Sequence, residues 1–197
     1  MKIIVSPHLF LYPFEATHAE LLADWVPDKR TLLAFGGEGL TLPLTAEQLV
    51  ASSDPDDPKS DRRLYSVSSR DVGMLAGHGE ILDIDHTARS GRLARVLLAP
   101  MFRGAGFGHE LVALLCTAAF DIVELREVTL RVFEDNAAAI ACYDRAGFVR
   151  TDAAPLERRI GRKTMKALEM RLTAAQWKSV RPDWARAMRQ GEDCCDH

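Results

Sequence analysis

Val96-Leu97-Leu98-Ala99-Pro100-Met101-Phe102-Arg103-Gly104-Ala105-Gly106-Phe107-Gly108 passes from an apolar strand, through a proline, into three glycines that open a helix. Arg92 to Leu98 reads as the strand and Gly106 to Val123 as the helix. Phe107, Leu111, Leu114, Leu115, Ala118 and Ile122 fall on one face of that helix. Val128, Leu130 and Val132 then alternate with Thr129, Arg131 and Phe133, which predicts a second strand. Strand, glycine turn, helix and strand make a βαβ unit, which lies in one sheet with a right-handed crossover. The chain is therefore α/β or α+β with a mixed sheet.

The glycines turn backbone amides toward one point, where the helix's own unpaired N–H groups and the positive end of its dipole also converge. Such a place holds an anion, most naturally a phosphate or pyrophosphate. Arg103 adds a fixed charge at the rim. A tight strand-to-helix turn without a ligand is the competing reading. The glycines are spaced Gly-x-Gly-x-Gly, which matches neither the dinucleotide fingerprint nor a Walker A loop. Arg92 and Arg95 also interrupt the continuous apolar run of a buried parallel strand. A nicotinamide-linked enzyme is disfavoured on both grounds.

Beyond this unit, Asn136 to Ala146 reads as a short helix closed by Gly147 at C′. Phe148-Val149 and Ala167 to Leu172 complete the strands, and Ala174 to Met188 is a helical stretch with Pro182 in its way. Before it, Leu64 to Ser68, Gly73 to Asp85 and Arg92 to Leu98 form an antiparallel meander. Ser52 to Asp61 is a polar loop rich in turn residues. The N-terminal third is helical, with Thr17 and Glu20, then Thr45 and Gln48, as capping boxes. One domain over 1–172 and a helical or disordered tail over 173–197 follow.

The chain has 197 residues, ample for one core, with 25 basic against 28 acidic side chains and a formal charge of -3. No basic excess exists to drive binding to nucleic acid or to an anionic membrane. The longest uncharged apolar stretch, Leu111 to Phe120, is far below the roughly 18 residues of a membrane span. Met1 to Val5 runs straight into Ser6, Pro7 and His8, without a secretory apolar region. Cys116 and Cys142 sit in apolar helical patterns as free thiols, which points to the cytoplasm. Cys194, Cys195 and His197 read as a weak metal-binding tail or a frayed terminus, and no metal is expected in the domain.

Residues 96–108, taken with Asn136-Ala137-Ala138-Ala139-Ile140-Ala141-Cys142-Tyr143-Asp144-Arg145-Ala146-Gly147-Phe148, closely resemble the GNAT acyl-CoA N-acetyltransferase family. The first stretch is similar to its Arg/Gln-x-x-Gly-x-Gly/Ala motif. The second matches its Asn-x-x-Ala-x-x-x-Tyr-x-x-x-Gly-Phe pattern at every named position. The resemblance spans about residues 9–172 and is strong over 92–149. It implies a central mixed, mostly antiparallel sheet flanked by helices and splayed at strands four and five. It also implies acetyl transfer from acetyl-CoA to a primary amine of a small molecule or protein, with a homodimer left open. A catalytically silent acyl-CoA-binding sensor or interaction protein on the same fold is the alternative.

On this resemblance the pantetheine arm pairs with the backbone of Val96, Leu97 and Leu98 like an added strand. The pyrophosphate rests on the amides of Gly104, Ala105, Gly106, Phe107, Gly108 and His109, beside Arg103. Asn136 binds the pantetheine arm or caps its helix. Tyr143 is the proton donor to the departing thiolate, or else a core tyrosine. Some relatives that acetylate protein N-termini carry a glutamate five positions before the asparagine; Arg131 stands there in this chain. That departure predicts poor turnover of N-terminal alanine and serine peptides. His78 and Glu80 share one face of their strand and are candidates to take or relay a proton, against a solvent-facing polar pair. Asp83 and Asp85 face the same choice. The acceptor is placed near Trp25, Phe35 and Gly36-Gly37, residues equally consistent with packing.

Overall fold

The computed structural model describes residues 3–36, 39–50, 60–160 and 162–187. Nine strands form one sheet: β1 (Ile4–Val5), β2 (Leu9–Pro13), β3 (Arg63–Ser69), β4 (Leu75–Asp85), β5 (Ser90–Leu98), β6 (Glu127–Phe133), β7 (Val149–Arg150), β8 (Leu156–Ile160) and β9 (Lys163–Thr173). Their spatial order is β1-β2-β3-β4-β5-β6-β9-β7, with β8 also on β9. Among the described strands only the β5–β6 pair is parallel. The meander and the βαβ unit expected from the sequence are both present.

Helices α4 (Phe107–Thr117), α5 (Ala137–Arg145), α6 (Ala174–Val180) and α7 (Asp183–Ala187) cover one face, where Val128, Leu130, Met170 and Leu172 join the main core. Helices α1 (Ala19–Asp24), α2 (Lys29–Gly36) and α3 (Ala46–Val50) build a second cluster around Leu22, Leu32, Phe35 and Leu49 on the other face. The α4 helix lies close on the sheet because Gly79 offers it no side chain. A Cβ there would stand 2.5 Å from Leu115 Cδ1.

Several expectations are revised. Thr17 caps nothing, because Ala16–His18 is a 3-10 turn leading straight into α1. At Thr45 half a capping box forms: Thr45 Oγ1 accepts from the Gln48 amide at 3.4 Å, while Gln48 Oε1 accepts from the Thr41 amide instead. Helix α2 and strands β1, β2 and β8 were not expected. The helix after the glycines is regular only to Thr117, then widens into a π turn over Ala118–Ile122. Pro182 divides the C-terminal helix into α6 and α7, and Trp177, stacked on Phe120, is 1% exposed. The described part of the expected tail, 174–187, therefore packs on the domain core. Cys194, Cys195 and His197 lie outside the described residues, as does most of the polar loop.

Candidate active site

β5 and β6 pair only from Ser90 opposite Glu127 to Leu93 opposite Leu130. Beyond Leu93 they part, and the cause is local. Glu80 on β4 faces Ala94, yet His78 faces Leu97, so Gly79 spans both Arg95 and Val96. Arg95 is the bulged residue, at a φ of 52°. A bulge bends its strand and sharpens the local twist, which turns the end of β5 away from its neighbour. β6 meanwhile keeps full register with β9, from Glu127 opposite Thr173 to Phe133 opposite Ala167.

The bulge is held by charge. Arg95 Nη1 donates to Glu80 at 3.2 Å, and Arg62 donates to the same carboxylate through Nε at 2.9 Å and Nη2 at 3.1 Å. His78 Nε2 lies 3.0 Å from Glu80 Oε1. His78 is 1% exposed and Glu80 0%, so the reading of this pair as solvent-facing is corrected. The side chains of Phe14 and Phe35 close over the imidazole. Burial alone would raise the Glu80 carboxyl, but the His78 hydrogen bond and charge and the two guanidiniums outweigh it and hold it at about 2. Neither residue lines the cleft that the parted strands create. A carboxylate so fully engaged is a poor proton acceptor. Asp83 pairs with Arg92 at 2.7 Å, and Asp85 accepts from the amides of Thr87 and Ala88, closing the β4–β5 turn.

That cleft has a volume of about 650 Å³. The exposed edge of β5 at Val96 and Leu97 forms one wall, and Arg103, Asn136 and Tyr143 also line it. Leu98 packs its side chain on the main core, and its carbonyl accepts from Arg103 Nε at 3.0 Å. Asn136 does cap its helix: Oδ1 accepts from the Ala139 amide at 3.2 Å. Its position in the cleft wall leaves the pantetheine role open as well. Tyr143 is buried, with its ring edge-on to Phe148. Burial, and then the neighbouring thiols Cys142 and Cys116, raise its hydroxyl pKa, so it is protonated at neutral pH.

At the end of β5 the chain enters the glycine turn. Gly104 and Gly106 have φ of 79° and 89°, and Gly106 is the N-cap of α4. A Cβ at either would touch nothing within 4 Å, so the left-handed backbone, not space, requires glycine. No described backbone carbonyl accepts from the amides of Gly104 to Gly108, whereas His109 N bonds to Gly106 O at 3.2 Å. Five amides with no acceptor among the described residues, at the start of an eleven-residue helix and next to Arg103, fit a pyrophosphate. Gly108 has a different reason: a Cβ there would lie 3.2 Å from Cys142 Sγ, where α4 and α5 touch. Ala105, Gly106, Phe107 and His109 also border a second cavity of about 570 Å³, closed by Arg145, Trp177 and Trp184. Burial, then Arg145, lowers the His109 pKa.

Of the residues expected at the donor site, Val96, Leu97, Arg103, Asn136 and Tyr143 line the cleft, whereas Ala105, Gly106, Phe107 and His109 line the second cavity. The sequence reading missed Arg62, which reaches Glu80 across 18 residues, and the gathering of Arg30, Arg92, Arg131 and Arg158 around the cleft. No periodicity carries such contacts. Phe35 lines the cleft, Trp25 packs between the two cores, and Gly37 lies outside the described residues. No helix among the described residues is long and apolar enough to cross a membrane.

Comparison with known proteins agrees with this geometry. The acetyltransferase (GNAT) family model matches residues 41–148. The chain is 26% identical over 159 residues to an N-acetyltransferase 9-like protein of Caenorhabditis briggsae, covering 75% of this chain and 77% of the relative. It is 23% identical over 157 residues to the alpha/beta-tubulin-N-acetyltransferase 9 of Drosophila melanogaster, covering 75% and 78%. Among solved structures, spermidine N-acetyltransferase from Vibrio cholerae in complex with CoA and spermine superposes with a TM-score of 0.74, at 20% identity, over 88% of this chain and 99% of that one. Parted strands, free amides at a glycine turn and a motif-bearing family match converge: the chain belongs to the GNAT acetyltransferase family and is an acetyl-CoA-dependent N-acetyltransferase.

Proposed function

We propose that transfer takes place in the cleft between β5 and β6, with the donor on the α4–α5 side of the sheet and the acceptor on the α2 side. The parting of the strands beyond Leu93, together with the glycine turn that follows β5 and whose amides have no described backbone acceptor, carries this reading. The β5 backbone at Val96 to Leu98 takes the pantetheine arm, with Asn136 beside it. The glycine-turn amides and Arg103 take the pyrophosphate. The amine lone pair attacks the thioester carbonyl carbon, the C–S bond breaks, and Tyr143 Oη gives its proton to the sulfur. The proton lost by the amine passes to water and restores Tyr143. His78 and Glu80 act on this reading as positioning residues, which hold the Arg95 bulge open.

The free thiols of Cys116 and Cys142 support a cytoplasmic setting. Substrates named for the relatives, spermidine and tubulin, put both small and protein amines in range. Incubation with acetyl-CoA and a pooled amine library, followed by free-thiol release and mass spectrometry of the products, tests the proposal. Acetylated amines with matching thiol release are expected. Protection of the protein against heat by CoA, without any thiol release, would overturn the reading in favour of a silent sensor.

A further inference from the structure

The acceptor side of the cleft is walled by arginine. Arg30 of α2, Arg92 and Arg95 of β5, Arg131 of β6 and Arg158 of β8 line it, and Asp135 is the one carboxylate among the described lining residues. These positions share the α2 face. Leu97 belongs with the α2 cluster, whereas Val96 and Leu98 pack toward α4. Phe133 and Ala167, which flank Arg131 and Glu169 on the same face, pack against Leu33 of α2.

Counter-charges exist, but most sit behind the wall. Arg92 pairs with Asp83, and Arg95 with Glu80, and neither acid lines the cleft. Arg30 pairs with Asp135 at 3.0 Å across the rim. Arg131 is held loosely: Glu169, directly opposite on β9, approaches its Nη2 only to 3.8 Å, and its side chain is 47% exposed. Among the described lining residues the one carboxylate, Asp135, is already paired with Arg30 and Lys163, so a di- or trivalent cation entering here meets guanidiniums first. An amine that carries its own negative charge meets the opposite field.

Resting on the acetyltransferase reading above, we infer that the acceptor is a primary amine on an anionic molecule, with Arg131 the principal specificity-determining residue. The same field disfavours a polyamine. The shared chemistry is an amino group a few atoms from carboxylates, whether in a free amino dicarboxylate or at a peptide N-terminus followed by acidic residues. Peptides with neutral alanine or serine starts rank below acidic ones, because nothing in them offsets the cost of approaching Arg131.

Initial thiol-release rates with the full chain and acetyl-CoA test this, using L-glutamate, an Ala-Asp-Glu peptide, an Ala-Lys-Lys peptide and spermidine. The two anionic arms separate a metabolite from a peptide acceptor. The better of them is expected to exceed Ala-Lys-Lys and spermidine in kcat/KM by at least about tenfold. The preference is expected to shrink between about 50 mM and about 500 mM salt as the field is screened. Arg131→Gln is expected to cut it at least about threefold through KM, with CoA affinity by calorimetry unchanged. Arg30→Gln, on the exposed rim, is expected to cut it in the same direction. Parity of spermidine or the basic peptide with the anionic arms, or a preference untouched in both variants, would overturn the inference. If pooled amines are acetylated with no anionic preference, this inference falls and the acetyltransferase reading stands; if no amine is acetylated, both fall.

Discussion

Glu80 keeps its negative charge out of contact with water, among the guanidiniums of Arg62 and Arg95 and the His78 ring. Removing one member of a buried ion cluster strands the rest, which typically costs about 3 kcal/mol or more. Glu80→Gln is therefore expected to lower unfolding free energy by about that amount in urea titration, and a loss below about 1 kcal/mol would contradict the clamp described here. The carboxyl is depressed from an ordinary 4.5 to about 2, so its stabilisation is complete above the ordinary value and is lost as pH falls from there toward about 2. Acid unfolding followed by circular dichroism should show this dependence in the native protein and lack it in Glu80→Gln. Tyr143 makes a different demand, on rate. Tyr143→Phe keeps the ring against Phe148 and removes the proton source. Its kcat is expected to fall about 10²-fold at unchanged CoA affinity, and retention of more than about a third of the native value would remove Tyr143 from the mechanism.

At the scale of elements, the start of α4 depends on two residues of left-handed backbone. Gly106 sits at a φ of 89°, a conformation that valine adopts only under strain. A side chain there projects into open space, the space in which the amides would meet the pyrophosphate. Gly106→Val is expected to weaken CoA binding by at least about tenfold in calorimetry while circular dichroism stays native. Unchanged affinity would place the phosphates elsewhere. The β5 bulge works at the same scale. Its residue, Arg95, pays for a positive φ with bonds to Glu80, and the strand end it turns aside becomes one wall of the cleft.

At the scale of the molecule, the sheet is covered on both faces, and the C-terminal helices are part of that cover. Thr173 and Gln176 form a full capping box that starts α6, and Trp177 stacks on Phe120 with ring centroids 6.4 Å apart. Trp177→Ala is expected to cost about 3–5 kcal/mol in chemical denaturation, the range for a large aromatic removed from a core. A chain ending at Leu172 is expected to lose cooperative thermal unfolding. Native-like melting of that shortened chain would show α6 and α7 to be an appendage.

Local signals determined much of this. Glycines at 104, 106 and 108, the alternation from Val128 to Phe133 and the Asn136 cap with Gly147 at the far end each act within a few residues, so they are legible along the chain and predicted the βαβ unit and the α5 limits. The α2 helix was obscured because Pro27 and Gly36 looked like punctuation, and the eight residues Lys29–Gly36 become helical by packing Leu32 and Phe35 on the second core. The partners of Glu80, the Arg95 bulge that parts β5 from β6, and the arginines drawn from four separate elements were decided by tertiary structure alone. They depend on distances between residues far apart in sequence, and a register shift or an ion pair across a sheet leaves no period for a reader of the chain to find.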